Sequence, residues 1–259
     1  MPRYKLTLEY EGTRYSGWQV QKDTHTVQGT LMYAITEELR NKNFDFQGAG
    51  RTDSGVHALH QVAHLDCTTV LDPYKFRLAV NDRLPHDIHI KQIEKAPGSF
   101  HARHDAVARS YLYQISRRRS AFGKRFVWWI KDELDLARMQ EASRFFVGLK
   151  DFKNFAAKDG EADSTKVNLE ELRIESRGDL ILIRVVGSHF LWKMVRQITG
   201  ILAEVGRGNM KPGDIAGLFR QTSPSLARLT APPSGLFLER VYYKNDERLQ
   251  TLEPFLAIR

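Results

Sequence analysis

The sequence is poor in cysteine and has no long apolar run. Cys67 is the single cysteine among 259 residues, so an intrachain disulfide and a four-thiolate zinc site are both excluded. No stretch of 18 apolar residues occurs, and no apolar signal segment follows Met1, so neither a membrane span nor secretion is expected. These absences favour a cytoplasmic protein.

Glycine-rich phosphate loops are missing as well. The chain contains neither Gly-x4-Gly-Lys-Ser/Thr nor Gly-x-Gly-x-x-Gly, the two loops that most often cradle nucleotide phosphates. The sequence therefore gives no indication of a nucleotide cofactor.

Acidic residues are scarce in one part of the chain. Lys and Arg total 39 against 31 Asp and Glu, a formal net charge of +8. From His101 to Lys131, eight Lys or Arg residues accompany a single acid, Asp105. A concentrated basic surplus is typical of surfaces that bind nucleic acid, although a merely solvated basic face has the same composition.

Apolar periodicity predicts the element order strand–helix–strand–strand–helix–strand twice in succession. Thr26, Asp72 and Asp135 are predicted helix N-caps, and 61–67 is predicted as a strand. Two such units indicate an α+β protein of two ferredoxin-like halves, residues 1–104 and 105–259. The expected architecture is a broad antiparallel sheet with helices on one face and a cleft between the halves.

The segment Gly50-Arg51-Thr52-Asp53-Ser54-Gly55-Val56-His57 lies between two predicted strands. Its glycines allow a tight turn and a close approach to a ligand, and between them lie an arginine and a carboxylate. On spacing alone, a simple Asp-Ser-Gly turn explains the segment equally well.

Five segments of the chain form a set with the turn segment: 49–58 (AGRTDSGVHA), 10–19 (YEGTRYSGWQ), 100–103 with 109–113 (FHAR and RSYLY), 190–200 with Met194-Val195-Arg196, and 231–238 (APPSGLFL). In register, they resemble the TruA-type tRNA pseudouridine synthase family over residues 4 to 243. Lys150 and Asn168 depart from the family pattern, which often has His and Arg there. These departures concern substrate detail and not the class of reaction.

The resemblance implies an isomerase that needs no cofactor and no metal. Pseudouridine formation breaks the N1–C1′ bond, turns the uracil and joins C5 to C1′. A carboxylate can attack the base, attack C1′ or assist proton removal at C1′. Asp53 is implied to be that carboxylate, with Arg51 in the same loop and Arg196 from the long helix favouring its charged form.

The resemblance also implies how the substrate is held. Tyr111 is expected to stack on the extruded uracil, and Leu236 to form an apolar wall for the same base. The implied substrate is the anticodon arm of tRNA at positions 38 to 40, bound by a homodimer. From the basic segment, the expected phosphate contacts are Arg103, Arg117, Arg118 and Arg119.

Two other interpretations remain open. A non-catalytic RNA-binding module of two RRM-like halves has the same element order, but no segment matches its glycine–aromatic strand motif. A metal-dependent hydrolase is suggested by His57, His60 and His64. However, His60 and His64 are four residues apart in a predicted strand, which separates them by about 13 Å.

Overall fold

A computed structural model describes residues 1–157, 164–220 and 224–256. In chain order, the strands are β1 (Arg3–Tyr10), β2 (Phe44–Gly48), β3 (His57–Cys67), β4 (Ile88–Ala96), β5 (Ala108–Ser116), β6 (Trp128–Trp129), β7 (Gly148–Asp151), β8 (Lys166–Arg177), β9 (Leu180–Gly187) and β10 (Leu236–Tyr242). The helices are α1 (Val27–Leu39), α2 (Pro73–Asn81), α3 (Leu136–Ser143), α4 (Met194–Gly206) and α5 (Ile215–Leu218).

The described residues divide into two compact units. The first contains residues 1–107 and 237–247, and the second contains residues 108–236 and the chain after residue 247. The sequence places all of 105–259 in one half, whereas 237–247 lies with the first unit. The physical reason is that Phe237 and Leu238 of β10 pair in parallel with His57 and Ala58 of β3.

The first unit has the predicted βαββαβ order. Its strands follow the order β4–β1–β3 with antiparallel pairing. The strand β2 pairs antiparallel with the last five residues of β3, 63–67. The predicted caps form: the Thr26 side chain accepts from Gly29 N, and Asp72 accepts from the first backbone N–H groups of α2. The α+β fold class is confirmed.

The second unit is built on the antiparallel series β5–β9–β8–β7, with the short β6 parallel to β5. Asp135 caps α3 as predicted, accepting from Arg138 N. The helix α4 is buried along almost its whole length, and Gly206 lies so close to α3 that an added Cβ would be 2.9 Å from Met139 Sδ. In the part of the chain that the structure describes, no helix has the length and apolar character to cross a bilayer.

Candidate active site

Asp53 lies in a tight turn between β2 and β3. The Val56 N–H donates to the Asp53 carbonyl at 3.1 Å, and Gly55 has a φ of +78°. The third position of such a turn requires positive φ, which glycine adopts without steric cost. The turn leaves the Asp53 side chain half-buried and that of Arg51 exposed.

The backbone of this turn is fixed by the segment that follows β1. Trp18 N donates to the Thr52 carbonyl at 3.0 Å, and Gly55 N donates to the Tyr15 carbonyl at 3.3 Å. Tyr10 Oη and Thr52 Oγ1 are 2.8 Å apart and hydrogen-bonded in a buried position. The residues on both sides of Asp53 are therefore held, while Asp53 itself is half-buried and not enclosed in the core.

Two glycines make this close approach sterically feasible. An added Cβ at Gly12 would lie 1.9 Å from the Val56 carbonyl oxygen, and one at Gly17 would lie 2.5 Å from that of Thr52. Gly12 N also donates to His57 Nδ1 at 3.0 Å, and the His57 ring stacks on Phe237 at 4.8 Å between centroids. The segments 10–19 and 49–58, which are separate in the sequence, are thus packed and hydrogen-bonded against each other.

In the second unit, Tyr111 and Tyr113 lie two residues apart on β5 but have different surroundings. Tyr111 is half-buried, and its ring meets Phe190 edge-on at 5.1 Å. Tyr113 is fully buried and donates its hydroxyl to the Pro232 carbonyl at 2.7 Å, and burial raises the pKa of that hydroxyl well above its usual range. Tyr113 is a core residue, which leaves Tyr111 as the accessible aromatic of the pair.

Arg196 is in the first turn of α4 and is held by the segment before β10. Its Nε donates to the Ala231 carbonyl at 2.7 Å, and Ala231 N donates back to the Arg196 carbonyl at 3.0 Å. The approach is close because Gly200 has no side chain; an added Cβ there would lie 1.4 Å from the Leu229 carbonyl oxygen. Leu236, at the start of β10, is buried with 5% of its surface exposed.

The predicted site residues are shared between the two units. Asp53, Arg51 and Arg103 belong to the first unit, and the others belong to the second. Those of the second unit are Tyr111, Arg196, Leu236, Arg117, Arg118 and Arg119.

The predicted phosphate contacts are all exposed, and the three consecutive arginines after β5 contact other residues of the same unit. Arg117 donates to Ser176 Oγ at 2.7 Å, Arg118 pairs with Asp179 at 3.1 Å, and the Arg119 guanidinium lies over the Trp129 ring at 5.6 Å. Arg103 is exposed directly after the buried Ala102.

The histidines of β3 are structural rather than gathered around a common point. His64 Nδ1 accepts from Ala102 N at 3.2 Å, much as His57 accepts from Gly12. Burial lowers the pKa of His60 to about 4, and the positive charges of Arg240, Lys91 and Lys5 contribute to the shift.

Within the described ranges, one group has metal-ligand spacing. Asp45, His64 and Asp66 each offer an atom within 4.8 Å of the others. However, Arg3 donates to both oxygens of Asp66 and lowers the pKa of that carboxyl. Because His64 Nδ1 is already an acceptor, its neutral ring carries the proton on Nε2, 3.9 Å from Asp45. A metal would have to displace both this proton and Arg3, so these residues suit an ion-pair network better.

Comparisons with known proteins decide the family. The model of the tRNA pseudouridine synthase family matches residues 7–105 and 142–244. The chain belongs to the tRNA pseudouridine synthase family. It is accordingly an isomerase that acts on uridine in tRNA.

Individual members of the tRNA pseudouridine synthase family match along almost the whole chain. A tRNA pseudouridine synthase A of Pseudothermotoga lettingae is 38% identical over 244 residues, covering 93% of this chain and 99% of the relative. One of Rhizobium meliloti is 40% identical over 248 residues, covering 94% and 100%. A tRNA pseudouridine synthase A 2 of Clostridium tetani is 38% identical over 243 residues, covering 92% and 98%.

Sequence reasoning did not identify the residues that hold the turn of this synthase. The Tyr10–Thr52 hydrogen bond comes from β1, and Gln61 of β3 donates from Nε2 to the Gly50 carbonyl at 2.9 Å. Gly12 and Gly17 are the sequence features that could have indicated this support, because a glycine allows another backbone segment to approach closely.

Proposed function

We propose that this enzyme converts uridine to pseudouridine in the anticodon arm of tRNA, at positions 38 to 40, with Asp53 as the catalytic carboxylate. The observation that carries the proposal is the Asp53 turn. Its backbone is fixed by hydrogen bonds to Tyr15 and Trp18, while Asp53 as a whole is half-buried and not enclosed in the core. A reacting group held in this way loses little entropy when the substrate binds.

The reaction balances without an added group. The N1–C1′ bond breaks, the uracil turns, C5 bonds to C1′, the C5 proton leaves to solvent, and N1 takes up a proton. Asp53 acts by bonding to the base or by bonding to C1′, it is released again when the product forms, and both routes need its negative charge. Arg51 and Arg196 supply positive charge that favours this form.

The other proposed roles concern the substrate. Tyr111 stacks on the extruded uracil, since its ring is half-buried and oriented by Phe190. Leu236 forms an apolar wall for the same base. Phosphates of the tRNA contact the four exposed arginines, Arg103, Arg117, Arg118 and Arg119. A homodimer and a cytoplasmic location belong to the same proposal.

The test is tritium release from C5-tritiated uridine in an unmodified tRNA transcript, comparing wild type with Asp53→Asn. The substitution keeps the size of the side chain and removes its charge. We expect release by wild type and none by the variant, with equal tRNA binding by both. Transcripts with cytidine at positions 38, 39 and 40 locate the target. Release that persists when all three are replaced refutes the assignment to the anticodon arm.

A further inference from the structure

The most exposed large apolar side chain of the described residues is Phe122, with 93% of its surface accessible. It lies in the segment of residues 117–131, named here the Phe122 loop, which follows β5 and includes the short β6. Trp129 near the end of this loop is also exposed, at 41%. Two exposed aromatic rings in one loop favour a binding partner, because apolar surface left in water is unfavourable.

The exposure of Phe122 is fixed by the backbone around it. Ser120 Oγ accepts from the N–H groups of Phe122 and Gly123, and Phe126 N donates to the Gly123 carbonyl at 2.9 Å. The Phe126 carbonyl accepts from Gln114 Nε2 at 2.9 Å. These hydrogen bonds restrict the backbone on both sides of Phe122, in a conformation that leaves its ring exposed.

The charge of the Phe122 loop identifies the kind of partner. Between residues 117 and 131 there are six basic residues and no acidic one: Arg117, Arg118, Arg119, Lys124, Arg125 and Lys131. The same loop of a second copy would be repelled by this charge, whereas a polyanion is attracted. Exposed aromatic rings among basic side chains are the combination that binds single-stranded nucleic acid, by stacking on bases and contacting phosphates.

We propose that the Phe122 loop is an RNA-binding surface on which Phe122 stacks an unpaired base of the tRNA, while Arg119 and Lys124 contact the flanking phosphates. Arg119 lies over the Trp129 ring, which orients its guanidinium at the surface. This inference rests on the proposed function, because the RNA is taken to be the substrate. It adds an aromatic contact outside the residues that carry the reaction.

The test measures the Kd of an unmodified tRNA transcript by fluorescence anisotropy for a set of Phe122 variants. Phe122→Ala is expected to weaken binding about tenfold, in the range found for the loss of one stacked base. Phe122→Tyr keeps a flat ring and should bind within about twofold of wild type. Phe122→Leu keeps apolar surface without the ring and should be as weak as Phe122→Ala. The matched control is Tyr33→Ala, which removes an exposed aromatic ring from α1 and should leave the Kd unchanged.

Salt dependence separates stacking from charge. The slope of log Kd against log salt should be the same for Phe122→Ala and wild type, since no phosphate contact is lost. For Arg119→Gln the slope should fall by about 0.7 to 0.9, the value for one phosphate. A changed slope for Phe122→Ala would overturn the stacking assignment.

Three further results would overturn the proposal. They are a wild-type Kd for Phe122→Ala, equal binding by the Leu and Tyr variants, and a change in the sedimentation of the RNA-free protein on Phe122→Ala. The last result would assign the surface to a second copy of the chain.

Tritium release is measured in parallel, and Phe122→Ala should raise KM and leave kcat unchanged. If the wild-type enzyme binds tRNA through Phe122 but releases no tritium, the proposed function fails and the RNA-binding surface stands. If the enzyme releases tritium but binds tRNA equally well without the Phe122 ring, the proposed function stands and the RNA-binding surface fails.

Discussion

Gly17 is predicted to control the position of the turn that carries Asp53, although glycine itself has no side chain that could react. Its φ of +91° is a conformation that residues with a Cβ rarely adopt. In Gly17→Ala the new Cβ would lie 2.5 Å from the Thr52 carbonyl oxygen and 3.2 Å from the Asp53 carbonyl carbon. The added methyl group therefore meets the backbone immediately before and within Asp53.

The size of the effect follows from these distances. Ordinary contact begins at 3.4 Å, so the Thr52 oxygen must move by about 0.9 Å to accept the methyl group at 2.5 Å. A displacement of about 1 Å at a reacting group lowers turnover on the order of 100-fold. Backbone strain and overpacking cost about 1–3 kcal/mol each, so the free energy of unfolding should fall by about 2–6 kcal/mol.

The assay combines tritium release at saturating tRNA with thermal unfolding. At this chain length, each kcal/mol lowers Tm by about 2–4 °C, so Gly17→Ala should unfold roughly 5–20 °C below wild type. Turnover is measured well below that midpoint, where the variant is folded. The matched control is Gly50→Ala in the same loop, because an added Cβ there meets nothing within 4 Å and the φ of Gly50 is not positive.

Gly50→Ala is expected to keep wild-type turnover and Tm. A folded Gly17→Ala variant that also releases tritium at the wild-type rate would show that the turn tolerates the displacement. The segment after β1 would then not be what positions Asp53.

Three further predictions concern other groups in the two units. Thr52→Val removes the buried hydrogen bond between Thr52 Oγ1 and the Tyr10 hydroxyl and should lower the free energy of unfolding by about 0.5–1.5 kcal/mol, measured by urea denaturation. Tyr111→Phe should retain tRNA affinity because the ring remains, and full tritium release by this variant would exclude the hydroxyl from proton transfer. His60 has a folded pKa of about 4 against 6.5 when unfolded, so the unfolded state gains the proton first and stability should fall as pH drops from 6.5 to 4. His60→Gln should reduce this loss by on the order of 2 kcal/mol in urea unfolding between pH 7.5 and pH 4.5, and an unchanged pH dependence would contradict the assignment.

Local patterns allowed most helices and strands to be predicted. Thr26, Asp72 and Asp135 cap helices where the sequence indicates, because an N-cap interaction spans only three residues. Cys67 is buried, as its position in the apolar alternation indicates. These features depend on neighbours in the sequence, which is the information that periodicity and capping rules contain.

Features that depend on distant partners were not predicted. The strand β3 begins at His57 and not at Gln61, because His57 and Ala58 find a parallel partner in Phe237 and Leu238, about 180 residues later. The same pairing places 237–247 with the first unit. No local pattern specifies a parallel partner at such a distance, since parallel strands need a long connection.

At the candidate site, too, the local sequence indicates the turn, whereas the contacts that support the turn come from residues distant in the sequence. The turn that carries Asp53 was identifiable from its glycines, but spacing alone did not distinguish a catalytic turn from a structural one. The distinguishing feature is the second backbone segment at Gly17 and Trp18, which holds the carbonyl of Thr52 from more than 30 residues away. A connecting turn needs no such support, because β2 and β3 already fix its two ends. The added hydrogen bonds and the glycine that permits them are therefore the structural features that support the proposed catalytic role of Asp53.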